Sequence, residues 1–272
     1  MLGKHFSHNG KLLPVKKAKI VIDNIEFTYG FGVYENLRVR KGKIFFIDEH
    51  VERLFNSAKM IELKHDFNFE QIKTWIEKLI SKNKLEDCNI KMLLIGGENP
   101  DLYIMCLAPK FLDKKFYKQG VKVITYKYER FLPQAKTLNM LPSYLIFKKA
   151  KAQDAYDVLL LDRDNNIVEG TRSNFFAIKN KTIYTTPVEK VLDGVTRRTV
   201  IDCAKKNSYK VVEKDIKLDE LFDYDGAFFT NTSGKIVPIR EVDDKSFDGV
   251  CGELKELMRL YDDYLKTCNS NL

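Results

Sequence analysis

The alternation of strand-like and helix-like patterns over the first ~110 residues constrains the fold most strongly. Residues 32–40, GVYENLRVR, alternate in the period of two that is typical of a half-buried strand. A turn at Lys41-Gly42 leads into a second strand, and Asp48 can then cap a helix whose apolar residues recur at helical spacing. The same patterns predict a helix over 69–81, strands near 90–95 and 102–107, and a hairpin turn at Asn9-Gly10.

A break in this pattern divides the chain into two predicted domains. Residues 109–119, PKFLDKKFYKQ, combine a proline with a cluster of charges, which is typical of a linker. The second half contains a strand over 121–128, a helix that starts near Pro142, several short strands and a final helix over 252–265. We therefore predict an α+β protein with a small N-terminal α/β domain (1–108), an interdomain linker (109–119) and a larger C-terminal domain (120–272).

Composition restricts the classes of partner. The net charge of +8 comes from lysines scattered over nearly every segment, which favours a solvated surface, and no nucleic-acid partner is expected. No segment approaches the ~18 uninterrupted apolar residues of a membrane span, and the N-terminus lacks the features of a signal peptide, so no membrane partner is expected. Five cysteines without a CxxC pair predict reduced thiols, no metal site and a cytoplasmic location.

Two cationic side chains stand at positions suited to chemistry. Lys136, in the segment KTLN, follows a predicted strand and precedes a predicted helix, where rigid neighbours can hold a catalytic group. Arg53, in the segment HVERL, lies on a helix that otherwise faces the core. Because lysine is abundant and arginine is common on polar helix faces, the residues alone leave a surface role open for both.

An acidic residue and a glycine mark two further segments. Glu169 ends the apolar strand IVEG, so its carboxylate is expected to be partly buried and to need a cationic partner; the alternative is a strand-end glutamate in water. Gly194 opens a helix at Val195 and Thr196, and the free N–H groups of a helix start form a phosphate site. The alternative there is an ordinary helix start capped by Thr196.

Together and in this order, these segments resemble the fold-type IV enzymes that use pyridoxal 5′-phosphate (PLP). The resemblance rests on the motifs HVERL, KTLN, VEGTRSN, LDGVTR and FTNTSGKIVPI and extends from about Phe27 to Pro238. The family contains branched-chain aminotransferases, D-amino acid aminotransferases and aminodeoxychorismate lyases. It implies PLP as cofactor, a large domain around a distorted β-barrel, cofactor held between the two domains, and a homodimer.

The resemblance implies three principal roles. Lys136 resembles the lysine that forms a Schiff base with the cofactor and, once released, moves a proton at the substrate. Glu169 resembles the carboxylate that faces the pyridine nitrogen and lets the ring withdraw electrons. Arg53 resembles the arginine whose planar fork binds the phosphate.

Other residues match further positions of the family. The remaining cofactor positions are Leu192 against the ring, Val195 and Thr196 at the helix start, and Thr232 with a hydroxyl for the phosphate. The substrate positions that match are Tyr29, Tyr34, Arg38 and Ser233, the last in a turn whose backbone meets the substrate carboxylate. Lys91 departs from the pattern but is a further candidate to bind the substrate carboxylate.

Departures from the family pattern bear on substrate choice. Met140 stands where branched-chain enzymes usually carry a tyrosine, and Lys91 stands where they often carry an arginine. The Arg-x-His pair of many D-amino acid aminotransferases is missing after the strand near 90–95. Asn36 stands where lyases commonly carry a threonine that relays a proton, and an amide cannot relay a proton in that way.

We therefore expect a PLP-dependent aminotransferase that moves an amino group between an aliphatic amino acid, branched-chain L- or D-, and a 2-oxo acid such as 2-oxoglutarate. One alternative is an aminodeoxychorismate lyase, which releases pyruvate and 4-aminobenzoate. The other is a non-enzymatic basic binding protein that kept the fold. Presence of Lys136, Glu169, Arg53 and Thr196 together favours an enzyme, because a degenerate site is expected to lose some of them.

Overall fold

The computed structural model describes residues 1–20 and 23–268, which fall into two compact units. The first unit contains the described residues of 1–110 together with 135–140 and Cys268, and the second contains 111–134 and 141–267. Segment 135–140 thus groups with the first unit, although the sequence placed it in the C-terminal domain. The physical reason is that its backbone pairs with residues 32–34.

An antiparallel sheet forms the centre of the first unit. Its strands are β1 (His5–His8), β2 (Lys11–Pro14), β3 (Gly32–Arg40), β4 (Lys43–Phe45), β5 (Cys88–Ile95) and β6 (Asp101–Leu107). They lie in the order β2-β1-β6-β5-β3-β4. The helices of this unit are α1 (Ile25–Thr28), α2 (Ile47–Met60) and α3 (Phe69–Asn83).

Burial along β3 alternates as the sequence predicts. Val33, Leu37 and Val39 are fully buried and belong to one apolar core with residues of α2 and α3. The side chains at 34, 36 and 38 are only partly buried, so they line the opposite face of the sheet. Glu35 shares the fully buried row, which places a charged group inside the core of this unit.

Helix α2 starts differently from the prediction. Phe46 occupies the N-cap position with a left-handed backbone (φ 56°), so Asp48 lies inside the first turn and does not cap the helix. An acidic residue in that turn interacts favourably with the helix dipole instead. Helix α3 begins with a capping box in which Asn68 and Gln71 satisfy each other's backbone N–H groups.

The second unit is built around a closed ring of strands. Its strands are β7 (Val121–Lys127), β8 (Asp157–Leu161), β9 (Ile167–Gly170), β10 (Asn174–Lys179), β11 (Thr182–Thr185), β12 (Lys210–Glu213), β13 (Gly226–Asn231), β14 (Lys235–Val242) and β15 (Lys245–Ser246). Six of them pair in the order β9-β10-β13-β14-β7-β8 and return to β9. The pair Asn174–Glu169 joins β10 to β9 and closes the ring, which confirms the expected distorted β-barrel.

Helices surround this barrel. They are α4 (Lys114–Gln119), α5 (Leu141–Ala152), α6 (Val195–Lys206) and α7 (Gly252–Thr267). Helix α4 occupies the end of the segment predicted as a linker, and the Asp113 side chain accepts a hydrogen bond from the N–H of Lys115 at its start. Helices α6 and α7 pack against Phe176 and Phe228, whose rings stack with centroids 4.9 Å apart.

The expected α+β fold class is confirmed. No helix in the described part of the chain is both long and apolar enough to cross a bilayer.

Candidate active site

The backbone of Lys136 is fixed against the start of β3. Its carbonyl accepts a hydrogen bond from the N–H of Tyr34 (3.0 Å), and the N–H of Leu138 donates to the carbonyl of Gly32 (2.8 Å). A Cβ atom at Gly32 would lie 2.6 Å from the carbonyl oxygen of Leu94 and 2.7 Å from Cδ1 of Leu138, so glycine fits here between β5 and the lysine segment. The segment therefore extends the sheet like a short extra strand.

The side chain of Lys136 lies on an aromatic ring. Its Nζ atom is 4.5 Å from the centroid of the Tyr34 ring, and Nζ of Lys91 is 5.7 Å from the same centroid. Both distances fall within the range of a cation–π interaction. The hydroxyl of Tyr34 donates to Sδ of Met140 at 3.6 Å. The first unit thus brings together three predicted site residues, Lys136, Tyr34 and Lys91.

Three polar side chains lie in a row on the buried face of α2. They are His50, Arg53 and Ser57, spaced three and four residues apart, and all are buried. Oγ of Ser57 accepts a hydrogen bond from the N–H of Lys136 at 3.1 Å. Helix α2 therefore holds the backbone of the lysine segment from a second side.

Arg53 forms a bidentate ion pair with Glu35. Nε and Nη2 of Arg53 lie 2.6 and 2.9 Å from the two carboxylate oxygens, and Glu35 is fully buried. Burial alone would raise the pKa of Glu35, but the charges and hydrogen bonds of Arg53 and His50 outweigh it and hold this pKa well below its usual range. The guanidinium orientation is thereby fixed from the core.

His50 completes the buried group. Its Nδ1 atom lies 2.7 Å from Oε2 of Glu35. Burial lowers the pKa of His50, although the Glu35 carboxylate opposes this shift. An ionised carboxylate only accepts hydrogen bonds, so Nδ1 of His50 carries a proton.

Glu35, His50 and Ser57 are absent from the site residues predicted from the sequence. Glu35 could have been found, because it occupies an inward position in the alternation of residues 32–40. A charged residue at such a position requires a buried partner. His50 and Ser57 give no comparable signal, since polar residues at helical spacing are usually solvent-exposed.

In the second unit, Glu169 has the buried carboxylate and the cationic partner that the sequence predicts. Its side chain is 6% exposed, and Oε1 lies 2.9 Å from Nη1 of Arg130. The N–H of Leu192 donates to Oε2 at 3.4 Å. The sequence did not identify Arg130 as this partner.

Asn174 connects Glu169 with the start of α6. It pairs with Glu169 across the closing strands, and its Nδ2 donates to the carbonyl of Leu192 at 2.7 Å. A Cβ atom at Gly194 would lie 2.0 Å from Oδ1 of Asn174, so a larger residue would displace the Asn174 side chain or the turn. Gly194 is the N-cap residue and has no side chain to bond the N–H groups of the first turn, where Thr196 lies.

These residues fit the cofactor that the resemblance implies. A buried carboxylate at Glu169 suits a protonated pyridine nitrogen, and the helix start at Gly194 suits a phosphate. Asn174 and Leu192 tie the two groups together through hydrogen bonds. The described residues contain no group of three or more histidine, cysteine or acidic side chains that could hold a metal ion.

The remaining predicted residues have varied environments. Oδ1 of Asn231 accepts from the N–H of Gly234 at 2.6 Å, which shapes the turn that carries Thr232 and Ser233. Tyr29 is 79% exposed. The guanidinium of Arg38 lies 5.6 Å from the centroid of the Phe45 ring. Six predicted residues belong to the first unit (Tyr29, Tyr34, Arg38, Arg53, Lys91 and Lys136) and six to the second (Glu169, Leu192, Val195, Thr196, Thr232 and Ser233).

Solved structures share this fold. A branched-chain amino acid aminotransferase of T.th., solved with pyridoxamine 5′-phosphate, matches with a TM-score of 0.90 and 26% identity, over 98% of this chain and 94% of that chain. A candidate 4-amino-4-deoxychorismate lyase from Legionella pneumophila matches with a TM-score of 0.84 and 25% identity, over 92% of this chain and 96% of that chain. The fold alone therefore does not separate transaminases from lyases.

The curated relatives of this chain include aminotransferases. A D-alanine aminotransferase from Bacillus licheniformis is 31% identical over 247 residues, which cover 86% of this chain and 87% of that protein. A branched-chain-amino-acid aminotransferase from Pseudomonas aeruginosa is 30% identical over 257 residues, which cover 87% of this chain and 84% of that protein. The model of the family "Amino-transferase class IV" matches residues 32–242. The chain therefore belongs to the class IV aminotransferases, a family that depends on PLP.

Proposed function

We propose that this enzyme transfers the amino group of small or branched aliphatic amino acids to 2-oxoglutarate. The observation that carries the proposal is the setting of Lys136. Its backbone is held from two sides and its ammonium group lies on the Tyr34 ring, while no described carboxylate forms an ion pair with it. A lysine held in this way is available for covalent catalysis.

Each proposed cofactor residue has a separate task. Bound PLP supplies an electron sink for negative charge at the substrate Cα. Lys136 holds the cofactor through Nζ and, when free, moves a proton at the substrate Cα. Glu169 keeps the pyridine nitrogen protonated, and Leu192 packs against the ring.

The phosphate is proposed to be held by charge and by backbone N–H groups. Arg53 presents a guanidinium whose orientation the Glu35 carboxylate fixes from the core. Val195 and Thr196 offer the N–H groups of a helix start, and Thr232 offers a hydroxyl.

The substrate carboxylate needs donors of its own, because an unpaired buried carboxylate costs several kcal/mol. We propose that these come from Arg38, Lys91, Tyr29, Tyr34 and the backbone of Thr232 and Ser233. Lys91 pairs across the strands with Asn36, so both side chains leave the sheet on the same, partly exposed face. A lysine is a less selective carboxylate partner than an arginine fork, so we expect only a slight preference for L- over D-donors.

A donor–acceptor screen tests this proposal. The PLP-loaded enzyme is mixed with each enantiomer of leucine and alanine, and the spectrum of the bound cofactor is followed before and after 2-oxoglutarate is added. We expect conversion by both enantiomers of at least one amino acid, with the L-form slightly faster. Conversion by none of them, together with pyruvate release from aminodeoxychorismate, would replace this proposal by a lyase function.

We further propose a homodimer. Leu141, Tyr144 and Leu145 lie on one face of α5 and are 65%, 58% and 50% exposed, and Phe131 is 79% exposed. A cluster of exposed apolar side chains of this kind marks an interface between proteins. Sedimentation equilibrium should give twice the mass of the chain for the wild type and for Lys255→Glu, an exposed position of α7, and a lower mass for Leu145→Glu. A monomeric wild type would contradict the proposal.

A cytoplasmic location is also proposed. In the part of the chain that the structure describes, no disulfide joins the five cysteines, of which Cys88, Cys106 and Cys203 are buried. Free thiols persist in a reducing compartment. Cell fractionation should place the enzyme with cytoplasmic markers, and its recovery with secreted proteins would contradict this.

A further inference from the structure

Asp157, the first residue of β8, is a fully buried carboxylate held by hydroxyl and backbone donors. Its Oδ1 accepts hydrogen bonds from the hydroxyl and the N–H of Thr171, and its Oδ2 accepts from the hydroxyl of Ser173 at 3.2 Å. No lysine, arginine or histidine of the described chain forms an ion pair with it. Burial of such a charge is costly, so the carboxylate points to a role beyond packing.

The hydrogen bonds of Asp157 continue into a second turn. The hydroxyl oxygen of Ser173 accepts from Nδ2 of Asn231 at 3.3 Å. The other side of the Asn231 amide, Oδ1, accepts from the N–H of Gly234 at 2.6 Å. One chain of contacts therefore runs from β8 to the turn between β13 and β14.

The charge of Asp157 sets which group donates and which accepts in this series of hydrogen bonds. A carboxylate only accepts hydrogen bonds, so the Ser173 hydroxyl must donate to Asp157 and can then only accept from Asn231. This turns the Asn231 oxygen toward Gly234. An asparagine at position 157 would remove the constraint, because an amide both donates and accepts.

We infer that Asp157 is a positioning residue for substrate binding, acting through Ser173 and Asn231 on the turn that carries Thr232 and Ser233. The inference rests on the proposed function, in which the backbone of that turn meets the substrate carboxylate. Asp157 also bonds Thr171, so it holds both ends of the turn 171–173 that joins the closing strands β9 and β10. Loss of Asp157 should weaken binding of the substrate carboxylate, and so raise KM, more than it lowers kcat.

Steady-state kinetics of four variants test this inference on the PLP-loaded enzyme. Asp157→Asn and Ser173→Ala should each raise KM for the donor amino acid by about tenfold with a smaller change in kcat, as expected for a weakened hydrogen-bonded site. KM of the double variant should be no higher than that of either single variant, because both substitutions break the same series of hydrogen bonds. Asp162→Asn is the matched control, since Asp162 lies at the other end of the same buried strand segment but bonds only within its own turn, to Asp164 and Asn166.

The outcomes separate this inference from the proposed function. A KM for Asp157→Asn within twofold of that for Asp162→Asn, or effects of Asp157→Asn and Ser173→Ala that multiply, would overturn the positioning role alone. A wild-type enzyme that transaminates no donor would overturn the proposed function and the inference with it. If Asp157→Asn does not fold, KM of Ser173→Ala is compared with KM of Thr171→Val. The second variant removes a hydroxyl donor to Asp157 without removing a contact of Asn231. Equal KM values of these two variants would again overturn the positioning role.

Discussion

Arg53 and Glu35 meet through two parallel hydrogen bonds, with Nε and Nη2 of the arginine 2.6 and 2.9 Å from the two carboxylate oxygens. The pair joins α2 to β3 inside the first unit, and His50 bonds the same carboxylate. An arginine held in this way presents its guanidinium in one orientation, which suits the recognition of a phosphate.

Glu35→Gln should therefore affect both stability and cofactor binding. Removal of one partner leaves the buried Arg53 charge uncompensated, which costs about 3–5 kcal/mol. Chemical unfolding of the cofactor-free protein measures this loss, and a PLP titration should show weaker binding. Glu52→Gln, on the exposed side of the same helix, should stay within about 0.5 kcal/mol of the wild type. Equal stability of the two variants would show that the Glu35–Arg53 pair does not stabilise the fold.

The same group predicts a pH dependence of stability. The folded-state pKa values of Glu35 and His50 both lie below their ordinary values, so the unfolded chain binds more protons as the pH falls. The free energy of unfolding should decrease below about pH 6.5 because of His50, and further below about pH 4.3 because of Glu35.

His50→Gln isolates the upper part of this dependence. The variant should lose a slope of up to about 1.4 kcal/mol per pH unit below pH 6.5, while glutamine retains an N–H donor for Glu35. His65 also has a pKa lowered by burial, so His65→Gln is the control that accounts for the slope remaining. Unfolding curves from pH 7 to 5 that are unchanged in His50→Gln would contradict the assignment.

The sequence predicts the local elements of this fold well because their signals are local. The alternation over 32–40 and the Asn9-Gly10 hairpin both appear, the latter with φ angles of 48° and 82° at its two turn residues. The start of α2 differs, since the cap depends on how the chain leaves β4 and not on the helix sequence.

The arrangement of the site is less predictable because it depends on long-range contacts. Nothing near Lys136 in the sequence indicates that its backbone pairs with Tyr34, about a hundred residues earlier. The partners of Glu169 likewise come from separate segments, Arg130 and Leu192. The family resemblance identifies which residues to examine, whereas the hydrogen bonds that orient them follow from the fold.

Gly194→Ala tests the link between Asn174 and the helix start. The added Cβ would lie 2.0 Å from Oδ1 of Asn174, so the Asn174 side chain or the turn must shift at a cost of about 1–3 kcal/mol. Thermal unfolding and PLP titration should show lower stability and weaker cofactor binding. Gly252→Ala is a matched control at the start of α7, because a Cβ there meets nothing within 4 Å. Wild-type PLP affinity in Gly194→Ala would argue against a phosphate site at this helix.

Glu169→Gln and Arg53→Ala should impair different properties of the enzyme, turnover in the first and PLP affinity in the second. The first keeps the shape of the side chain but removes the charge at the pyridine nitrogen, so turnover should fall about a hundredfold or more with cofactor retained. The second removes a phosphate contact and also the partner of buried Glu35, so the free energy of unfolding should fall, PLP affinity should fall by about 10- to 150-fold, and added PLP should restore activity of the folded enzyme. Absorbance of bound PLP and kcat at saturating PLP distinguish the two. The opposite pattern would reverse the roles assigned to these residues.

The central claim is that Lys136 is the lysine that holds the cofactor, and borohydride reduction of the PLP-loaded enzyme followed by peptide mapping tests it most directly. Lys91 is the alternative lysine that the experiment must exclude, because its Nζ lies 5.7 Å from the centroid of the same Tyr34 ring. We predict that the cofactor is fixed to the peptide containing Lys136 in the wild type and in Lys91→Ala, and that Lys136→Ala carries no label. A label on Lys91 or on any other lysine would contradict the account.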